Sequence, residues 1–330
     1  GPTTWPAEPA AVVIPSAIDL FSSEAALLTT ANIGPNPLPA IPNPISTFNN
    51  WCASGVIALL LKNMPIAYKI PPNKIAEKII NNYGKAKIIT TTNVFAHTNK
   101  LGNFINGIKK LIKNDGIFIL ENHYLLDVIK KNQFDTFYHE HLRTYSLTSL
   151  IKLMKYYGFN VYDAKTSDRY GGNIQVHFTL KKIKPLSNVL KILKLEKIFG
   201  LDNPKIYLNF NNRINKIKIN IFEYFNKNRS KLIVGKAFPA RASVIIHYFS
   251  FLKDNLEYIV EQPTSLKLNH MVPGTNLEIK NSNILLKHKP DIMVILAWHL
   301  FNDISNKWRN NGLKKTIFLS PLPKFKIYKW

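Results

Sequence analysis

Residues 87–97 are Lys-Ile-Ile-Thr-Thr-Thr-Asn-Val-Phe-Ala-His, and this stretch decides the fold. Its first six residues are rich in β-branched side chains and predict a strand. Apolar residues at helical spacing predict a helix over residues 101–112, and residues 117–121 form the next apolar strand pattern. A strand, a helix and a strand at this spacing predict a parallel α/β sheet with right-handed crossovers.

The flanking sequence extends this pattern into two α/β parts. Residues 73–83 and 145–160 predict further helices, the second ended by Gly158, and residues 114–116 predict a turn. The fold class is therefore α/β, with a Rossmann-like domain, a helical connector and a second Rossmann-like α/β domain. The predicted boundaries are 1–72 for an atypical segment, 73–184, 185–230 for the connector and 231–330. Strands of the second domain are predicted at 232–235, 258–260 and 292–296, and it ends near Phe318.

The first 72 residues differ in composition from the rest of the chain. Residues 1–61 contain no Lys or Arg, and 12 of the 20 prolines lie before residue 73. Closely spaced prolines forbid regular helix and favour extended chain. Only residues 18–29 and 51–61 have the composition of short helices or strands, and the block suggests no function.

Composition places the chain among globular proteins. Its 330 residues, 46% hydrophobic and 12% aromatic, are enough for two domains with separate cores. The longest apolar run, residues 56–61, is far shorter than a membrane span, and the N-terminus lacks the basic region of a secretory signal. One cysteine, Cys52, excludes an internal disulfide framework and a cysteine-rich zinc cluster. We expect a cytoplasmic enzyme without a metal.

The net charge of +24 makes nucleic-acid binding an alternative. Only six of the 44 basic residues are Arg, however, and Arg is the residue that favours bidentate phosphate and base contacts. The Lys excess accompanies Asn and Ile, whose codons are also A/T-rich, so base composition explains much of the charge. A small substrate that carries a nucleotide would also be attracted by this field.

The densest group of polar functional side chains is Phe-Asp-Thr-Phe-Tyr-His-Glu-His at residues 134–141. A phenol, two imidazoles and a carboxylate are adjacent there, and each is a possible proton-transfer group. Burial of such groups is costly unless each is paired. From composition alone, a surface loop with a chance His-x-His pattern is an equally good interpretation.

Polar residues also follow the predicted strands. Asn93 and His97 come after the first strand and Glu121 ends the next, at the carboxyl edge where α/β sheets bind ligands. Each residue taken alone also fits a structural role, as a turn residue or a satisfied buried group. The segment 170–173, Tyr-Gly-Gly-Asn, fits a plain turn or a loop that closely approaches a ligand.

In order along the chain, these motifs resemble one family. The series Asn-Val-Phe-Ala-His, Asp-Gly-Ile-Phe-Ile-Leu-Glu, Phe-Asp-x-x-Tyr-His-Glu-His and Gly-Gly resembles the sugar C-methyltransferases. These enzymes use S-adenosylmethionine to methylate a carbon of nucleotide-linked keto-deoxysugars. Further motifs in the family's order extend the resemblance over about residues 73–325; they are Gly-Lys-Ala-Phe-Pro-Ala-Arg at 235–241, Pro-Gly-Thr at 273–275, Pro-Asp at 290–291, Ala-Trp-His at 297–299 and Asp-Ile at 303–304.

The resemblance implies a role for each matching residue. His141 is expected to remove the proton next to the ketone, and Tyr138 and His97 to donate hydrogen bonds to the ketone oxygen or the enolate. Glu140 is expected to orient an imidazole or to hold a sugar hydroxyl. Asn93 and Phe95 are the expected neighbours of S-adenosylmethionine. The expected substrate-binding residues are Glu121, His139 and Asn173, with Arg241 and Lys267 as candidates for the diphosphate.

Departures from the family pattern support two alternatives. The family's first glycine-rich turn, the acidic residue after its second strand and its cysteine-based zinc module are not recognisable in residues 1–72. The family's Gly-Gly-Ser-x-Arg is Gly-Gly-Asn-Ile-Gln at 171–175, and the second glycine-rich turn contains Lys-Ala-Phe at 236–238. A truncated or catalytically impaired homologue that only binds the sugar nucleotide is thus the second hypothesis, and a basic nucleic-acid-binding protein is the third. The sequence does not indicate the oligomeric state.

Overall fold

The computed structural model describes residues 11–14, 56–58 and 72–328. The chain divides into two compact units. The first contains the described residues up to Leu125 together with Glu140–Phe199, and the second contains Leu126–His139 and the chain from Gly200 onward. The division therefore passes through the 134–141 block, between His139 and Glu140.

The first unit contains a six-stranded sheet in the order β2-β1-β3-β4-β6-β5. Its strands are β1 (Ala11–Ile14), β2 (Val56–Ala58), β3 (Ala86–Thr92), β4 (Ile112–His123), β5 (Asn160–Ser167) and β6 (Asn173–Thr179). Its helices are α1 (Pro72–Tyr83), α2 (Leu101–Leu111), α4 (Leu147–Tyr156) and α5 (Ser187–Phe199), and α3 (Leu125–Lys130) begins at the boundary of the units. The predicted α/β fold class is confirmed.

The parallel part of this sheet contains the point where strand order reverses. Strands β1 and β3 pair in parallel, and β2 and β4 lie on their outer sides. Such a switch point opens a crevice at the carboxyl ends of the two central strands. The sequence did not predict β1, whereas β2 lies inside the predicted 51–61 segment and residues 18–29 lie outside the described part.

The other edge of the sheet differs from the all-parallel prediction. Strand β6 pairs antiparallel with both β4 and β5. Residues 168–172 connect β5 to β6, and so short a connection permits only an antiparallel pair. Gly171 and Gly172 in this connection have φ of 95° and 137°, a region that favours glycine. The predicted turn at 114–116 lies within β4, where the register with β3 shifts between Ala86 and Ile88.

Apolar side chains of the helices and strands of the first unit pack together into a core against its sheet. Ile105 and Ile108 of α2 are buried against the sheet, as their helical spacing predicts. Phe118 of β4 lies near Phe159 and Phe178, with ring centroids 6.1 Å and 6.4 Å away. Each such side chain contributes about 1.5–3 kcal/mol when it is fully buried, which stabilises the strands that end at the site.

The second unit has its own six-stranded sheet, in the order β12-β11-β10-β7-β8-β9. The strands are β7 (Ile233–Lys236), β8 (Ile259–Glu261), β9 (Ile279–Asn281), β10 (Ile292–Ile295), β11 (Ile317–Ser320) and β12 (Lys326–Tyr328). Only the β11–β12 pair among them is antiparallel. The helices are α6 (Pro204–Asn226), α7 (Ala240–Tyr248), α8 (Leu252–Asn255), α9 (Ile284–Lys287) and α10 (Phe301–Asn310). Strand order reverses between β7 and β10, which gives this unit a switch point of its own.

Candidate active site

Asn93 lies directly after β3, at the carboxyl edge of the first sheet. Its φ of 55° is left-handed, a conformation that Asn tolerates better than most residues. Its backbone N–H donates to the Glu121 carbonyl oxygen at 2.9 Å, which holds the loop to the end of β4. The side-chain Oδ1 is buried and has no hydrogen-bond partner within the described part of the chain. This acceptor is therefore available to a ligand at the switch point.

Phe95, two residues further on, is a core residue. It is fully buried, and its ring centroid lies 5.7 Å from Phe104, 6.0 Å from Phe118 and 6.1 Å from Tyr145. The side chain anchors the loop that carries Asn93 and His97. Its predicted place beside the cofactor stays a prediction.

Three imidazoles meet at this edge. The ring centroid of His141 lies 4.8 Å from that of His97 and 4.9 Å from that of His123. The structure therefore brings together His97 and His141, which the sequence selected, and adds His123, which it did not. His123 is the last residue of β4 and is 7% exposed. It lies two residues after Glu121, so the strand periodicity was a signal that could have identified it.

Hydrogen bonds from the two residues after His141 hold it beside His97. The N–H of Leu142 donates to the Ala96 carbonyl oxygen at 2.9 Å, and Arg143 donates from Nη1 to the Thr98 carbonyl oxygen at 2.6 Å. Burial lowers the pKa of His97, while the charge of Glu140 and a hydrogen bond with its backbone act in the opposite direction. A lowered pKa keeps the imidazole neutral near pH 7, and a neutral imidazole carries one N–H group that can donate to a ketone oxygen.

Glu121 and Asn173 lie side by side on the same sheet. Asn173 donates from Nδ2 to the Glu121 carboxylate at 3.0 Å, and Gln175 and Arg169 donate to it at 3.3 Å and 3.4 Å. Asn173 is fully buried and its Oδ1 has no partner in the described residues. Two predicted substrate residues thus form one buried polar cluster, with an acceptor still available.

A buried carboxylate from another helix fixes the end of β4. Glu196 of α5 is 3% exposed and accepts hydrogen bonds from the Tyr124 hydroxyl at 3.0 Å and from the Leu147 and Thr148 backbone N–H groups at 2.5 Å and 3.0 Å. A carboxylate at a helix N-terminus satisfies unpaired backbone donors and the helix dipole. Since Tyr124 follows His123, this contact positions the imidazole cluster. Nothing in the sequence indicated this contact.

Tyr138 and His139 belong to the second unit, whereas Glu140 and His141 belong to the first. The Tyr138 and His139 rings lie 5.7 Å apart at 85° to each other, and His139 is exposed. Their predicted roles as a hydrogen-bond donor and a substrate-binding residue stay predictions.

Arg241 forms a buried ion pair inside the second unit. It donates from Nε and Nη2 to the two carboxylate oxygens of Asp135 at 3.1 Å and 2.8 Å, and from Nη2 to Gln133 at 3.2 Å. Trp298 donates from Nε1 to Asp135 at 2.8 Å. Arg241 is 8% exposed, and its guanidinium thus joins α7 to the 134–136 segment. The predicted role of Arg241 in binding a diphosphate stays a prediction. The sequence did not indicate its ion pair with Asp135, which lies 106 residues earlier in the chain.

Lys267 lies beside the turn after β7. Its Nζ donates to the Phe238 carbonyl oxygen at 2.6 Å and lies 5.8 Å from the Phe238 ring centroid. Lys236, at the end of β7, is 5% exposed and donates to the Val260 carbonyl oxygen at 3.3 Å. Burial lowers its pKa, and Glu261 acts in the opposite direction. Two cations therefore flank the carboxyl edge of the second sheet.

A cleft of about 280 Å³ opens beyond the carboxyl ends of β10 and β11. It is lined by two segments that carry family motifs and by the chain after β11; the lining residues are Trp298, His299, Leu300, Phe301, Asn302, Asp303, Ser320, Leu322, Pro323, Lys326 and Tyr328. Aromatic and polar groups of this kind suit a ligand with both a ring and hydroxyl groups.

In the part of the chain that the structure describes, no helix is long and apolar enough to cross a membrane. No group of three or more His, Cys, Asp or Glu residues in the same part is arranged to hold a metal ion.

Comparison with known proteins identifies two matching families. Residues 36–164 match a family described as methyltransferase domain, and residues 168–323 match the C-methyltransferase C-terminal domain. The C-methyltransferase NovU from Streptomyces niveus is 27% identical over 263 residues, which is 77% of this chain. The chain spans 61% of the length of that relative. The two family matches occur in the order that the motifs predict, and together they cover most of the chain, so the chain is similar to C-methyltransferases through both matched regions.

Proposed function

We propose that this protein transfers a methyl group from S-adenosylmethionine to a carbon of a nucleotide-linked keto-deoxysugar. The observation that carries the proposal is the pair His97 and His141, whose rings lie 4.8 Å apart at the carboxyl edge of a Rossmann-like sheet. A proton acceptor and a neutral hydrogen-bond donor side by side are what enolisation of a ketone requires. The relative from Streptomyces niveus, named a C-methyltransferase, supports the same reaction class.

The chain's own residues account for the proton-transfer half of the reaction. His141 removes the proton from the carbon next to the ketone, and the electron pair of that C–H bond passes into the enolate. His97 donates a hydrogen bond to the developing negative charge on oxygen, with Tyr138 as the second predicted donor. Glu140 orients an imidazole or holds a sugar hydroxyl. Glu121, Asn173 and His139 are assigned to the sugar, and their polar atoms suit its hydroxyl groups.

The sheet edge fits S-adenosylmethionine in one respect. The switch point between β1 and β3 is the expected place for a nucleoside ligand, and the buried Oδ1 of Asn93 has no hydrogen-bond partner among the residues that the structure describes. Asn93 would hold this cofactor, and Phe95 would fix the loop beneath it. S-adenosylmethionine, when bound, supplies an electrophilic methyl group.

The nucleotide part of the substrate is inferred from charge. A net charge of +24 attracts a diphosphate, and Lys267 and Arg241 are the predicted cations that meet it. Lys267 is exposed and next to the turn after β7, where a phosphate could reach it. A cytoplasmic location belongs to the same proposal, because a single cysteine suits a reducing compartment.

The test is methyl transfer from labelled S-adenosylmethionine to a nucleoside diphosphate-linked keto-deoxysugar. We expect His141→Ala to lower kcat by about 10²- to 10⁴-fold, the usual contribution of a general base. His288→Ala is the matched control, because His288 is an exposed imidazole in the second unit, and it should leave kcat unchanged. Equal activity of His141→Ala and the wild type would refute the assignment of the base.

Calorimetry separates the enzyme from a homologue that only binds the sugar nucleotide. The sequence after β1 lacks the family's glycine-rich turn, which favours that second candidate. Micromolar binding of S-adenosylmethionine to the chain supports the enzyme, and binding of the sugar nucleotide alone supports the second candidate. Filter binding of oligonucleotides tests the third hypothesis, which requires retention that falls steeply with salt.

A further inference from the structure

His123 is an imidazole that the proposed function leaves without a role. It ends β4, is 7% exposed, and its ring lies 4.9 Å from that of His141 at an angle of 57°. His141 is thus flanked by His97 on one side and by His123 on the other. At this separation two imidazoles can exchange a proton directly or through one water.

The Glu121 carboxylate is a poorer acceptor for the His141 proton than His123 is. Side chains at positions i and i+2 of a strand share a face, so Glu121 and His123 lie on the same face of β4. The Glu121 carboxylate already accepts hydrogen bonds from Asn173, Gln175 and Arg169. A carboxylate has about four acceptor sites, so most of them are used. An imidazole beside His141 also matches its proton affinity, which a carboxylate does not.

The charges around the cluster favour His123 over His97 as the acceptor. Glu121 lies beside His123 on β4, and a nearby negative charge stabilises an imidazolium, although Arg169 offsets part of it. Glu140 acts on His97 in the same way, but burial is the larger influence there and lowers the His97 pKa. The proposed function also assigns His97 to the ketone oxygen, as a donor that stays neutral.

We propose that His123 receives the substrate proton from His141, an inference that rests on the proposed function. The C–H bond next to the ketone breaks, its electron pair enters the enolate, and the proton forms an N–H bond on His141. That N–H bond then breaks as an N–H bond forms on His123. His141 returns to its neutral form, and the proton is no longer in a position to return to the carbon. No oxidant, reductant or further reactant is needed.

The test measures how often the removed proton exchanges with solvent before the carbon is reprotonated, an exchange that the transfer to His123 would promote. The full chain is incubated in D₂O with S-adenosylmethionine and a nucleoside diphosphate-linked keto-deoxysugar. Deuterium in the recovered substrate counts enolates that were reprotonated from solvent, and methylated product counts enolates that were trapped. The readout is the ratio of deuterated substrate to methylated product. A loss of structure alone lowers both counts together and leaves this ratio unchanged.

We expect His123→Gln to lower this ratio by about tenfold, a modest part of what a positioned acid–base group contributes. The matched control is His177→Gln, which removes another partly buried imidazole of the same sheet, one that contacts Gln175, and should keep the wild-type ratio. His123→Asn is a second variant if the first does not fold. An unchanged ratio in the folded His123 variants would overturn the proposal. A ratio that falls in His97→Gln but not in the His123 variants would also overturn it.

The proposed function and the relay fail in different ways. If the wild type transfers no methyl group, the proposed function is wrong. The relay is then measured by deuterium uptake alone. A rate about tenfold lower in His123→Gln than in His177→Gln supports the relay, and equal rates refute it.

Discussion

Replacing Asp135 by Asn removes the charge that compensates a buried guanidinium. Asp135 is 1% exposed, and three donors converge on its two oxygens, namely Nε and Nη2 of Arg241 and Nε1 of Trp298. The amide of Asn keeps one acceptor oxygen but turns an NH₂ group toward these donors. Arg241 then stays buried with a full charge and a lost bidentate partner.

The expected cost is about 3–5 kcal/mol of unfolding free energy, the usual range when one partner of a buried ion pair is removed. A domain is typically stable by about 5–15 kcal/mol, so the second unit would lose a large fraction of its stability. Replacing both partners, as in Asp135→Asn with Arg241→Met, should recover much of the loss, because no unpaired buried charge remains.

The assay is urea unfolding followed by far-ultraviolet circular dichroism. Glu278→Gln is the matched control, because the Glu278–Lys280 pair at 3.4 Å is partly exposed and should contribute no more than about 1 kcal/mol. A loss below about 1 kcal/mol in Asp135→Asn, comparable to an exposed pair, would refute the reasoning. The double variant also tests the predicted substrate role of Arg241. If stability is recovered but the KM for the sugar nucleotide is raised, Arg241 contributes to substrate binding as well as to the ion pair.

Further predictions concern pH and close packing. Burial lowers the pKa of His97, His177 and His299 below the ordinary value of 6.5, so the folded chain binds fewer protons than the unfolded one at acid pH. The free energy of unfolding, measured by urea titration, should be flat with respect to these groups above about pH 7 and fall as pH drops through 6.5 toward the lower folded values. Gly235→Ala should destabilise by about 1–3 kcal/mol, because an added Cβ would lie 2.9 Å from Ile259 Cγ1. Gly107 lies in helix α2, and a Cβ added there would meet nothing within 4 Å besides its own stretch of helix. Gly107→Ala should therefore be neutral or stabilising by up to about 1 kcal/mol in the same titration.

Local periodicity was enough to predict the central strands and helices. Helix α2 and strands β3 and β7 lie within one or two residues of the predicted bounds, since each buries a regular apolar pattern. Strands β5 and β6 were missed because they form a hairpin whose place in the sheet depends on the pairing of β6 with β4, which is a long-range contact. The glycines of that hairpin were visible, but a Gly-Gly turn fits many connections.

The site was predictable where it depends on strand ends, and less so elsewhere. Asn93 directly follows β3 and Glu121 lies near the end of β4, and the backbone N–H of Asn93 donates to the Glu121 carbonyl oxygen at 2.9 Å. His123 was predictable in principle from the alternation of β4. The ion pair of Arg241 with Asp135 was not predictable, because the sequence does not show which carboxylate far along the chain a cation contacts.

The imidazole cluster has to reconcile two opposing requirements. A base must be uncharged before it accepts a proton, and the proton must then be stabilised long enough for the enolate to react. The positive charge of the whole chain favours an uncharged base and so serves the first requirement, while burial lowers the pKa of His97 and keeps that ring a neutral donor. The carboxylates of Glu121 and Glu140 serve the second. A single histidine among these charges could satisfy only one requirement, whereas neighbouring imidazoles can divide them, with one neutral donor and two sites that share the proton.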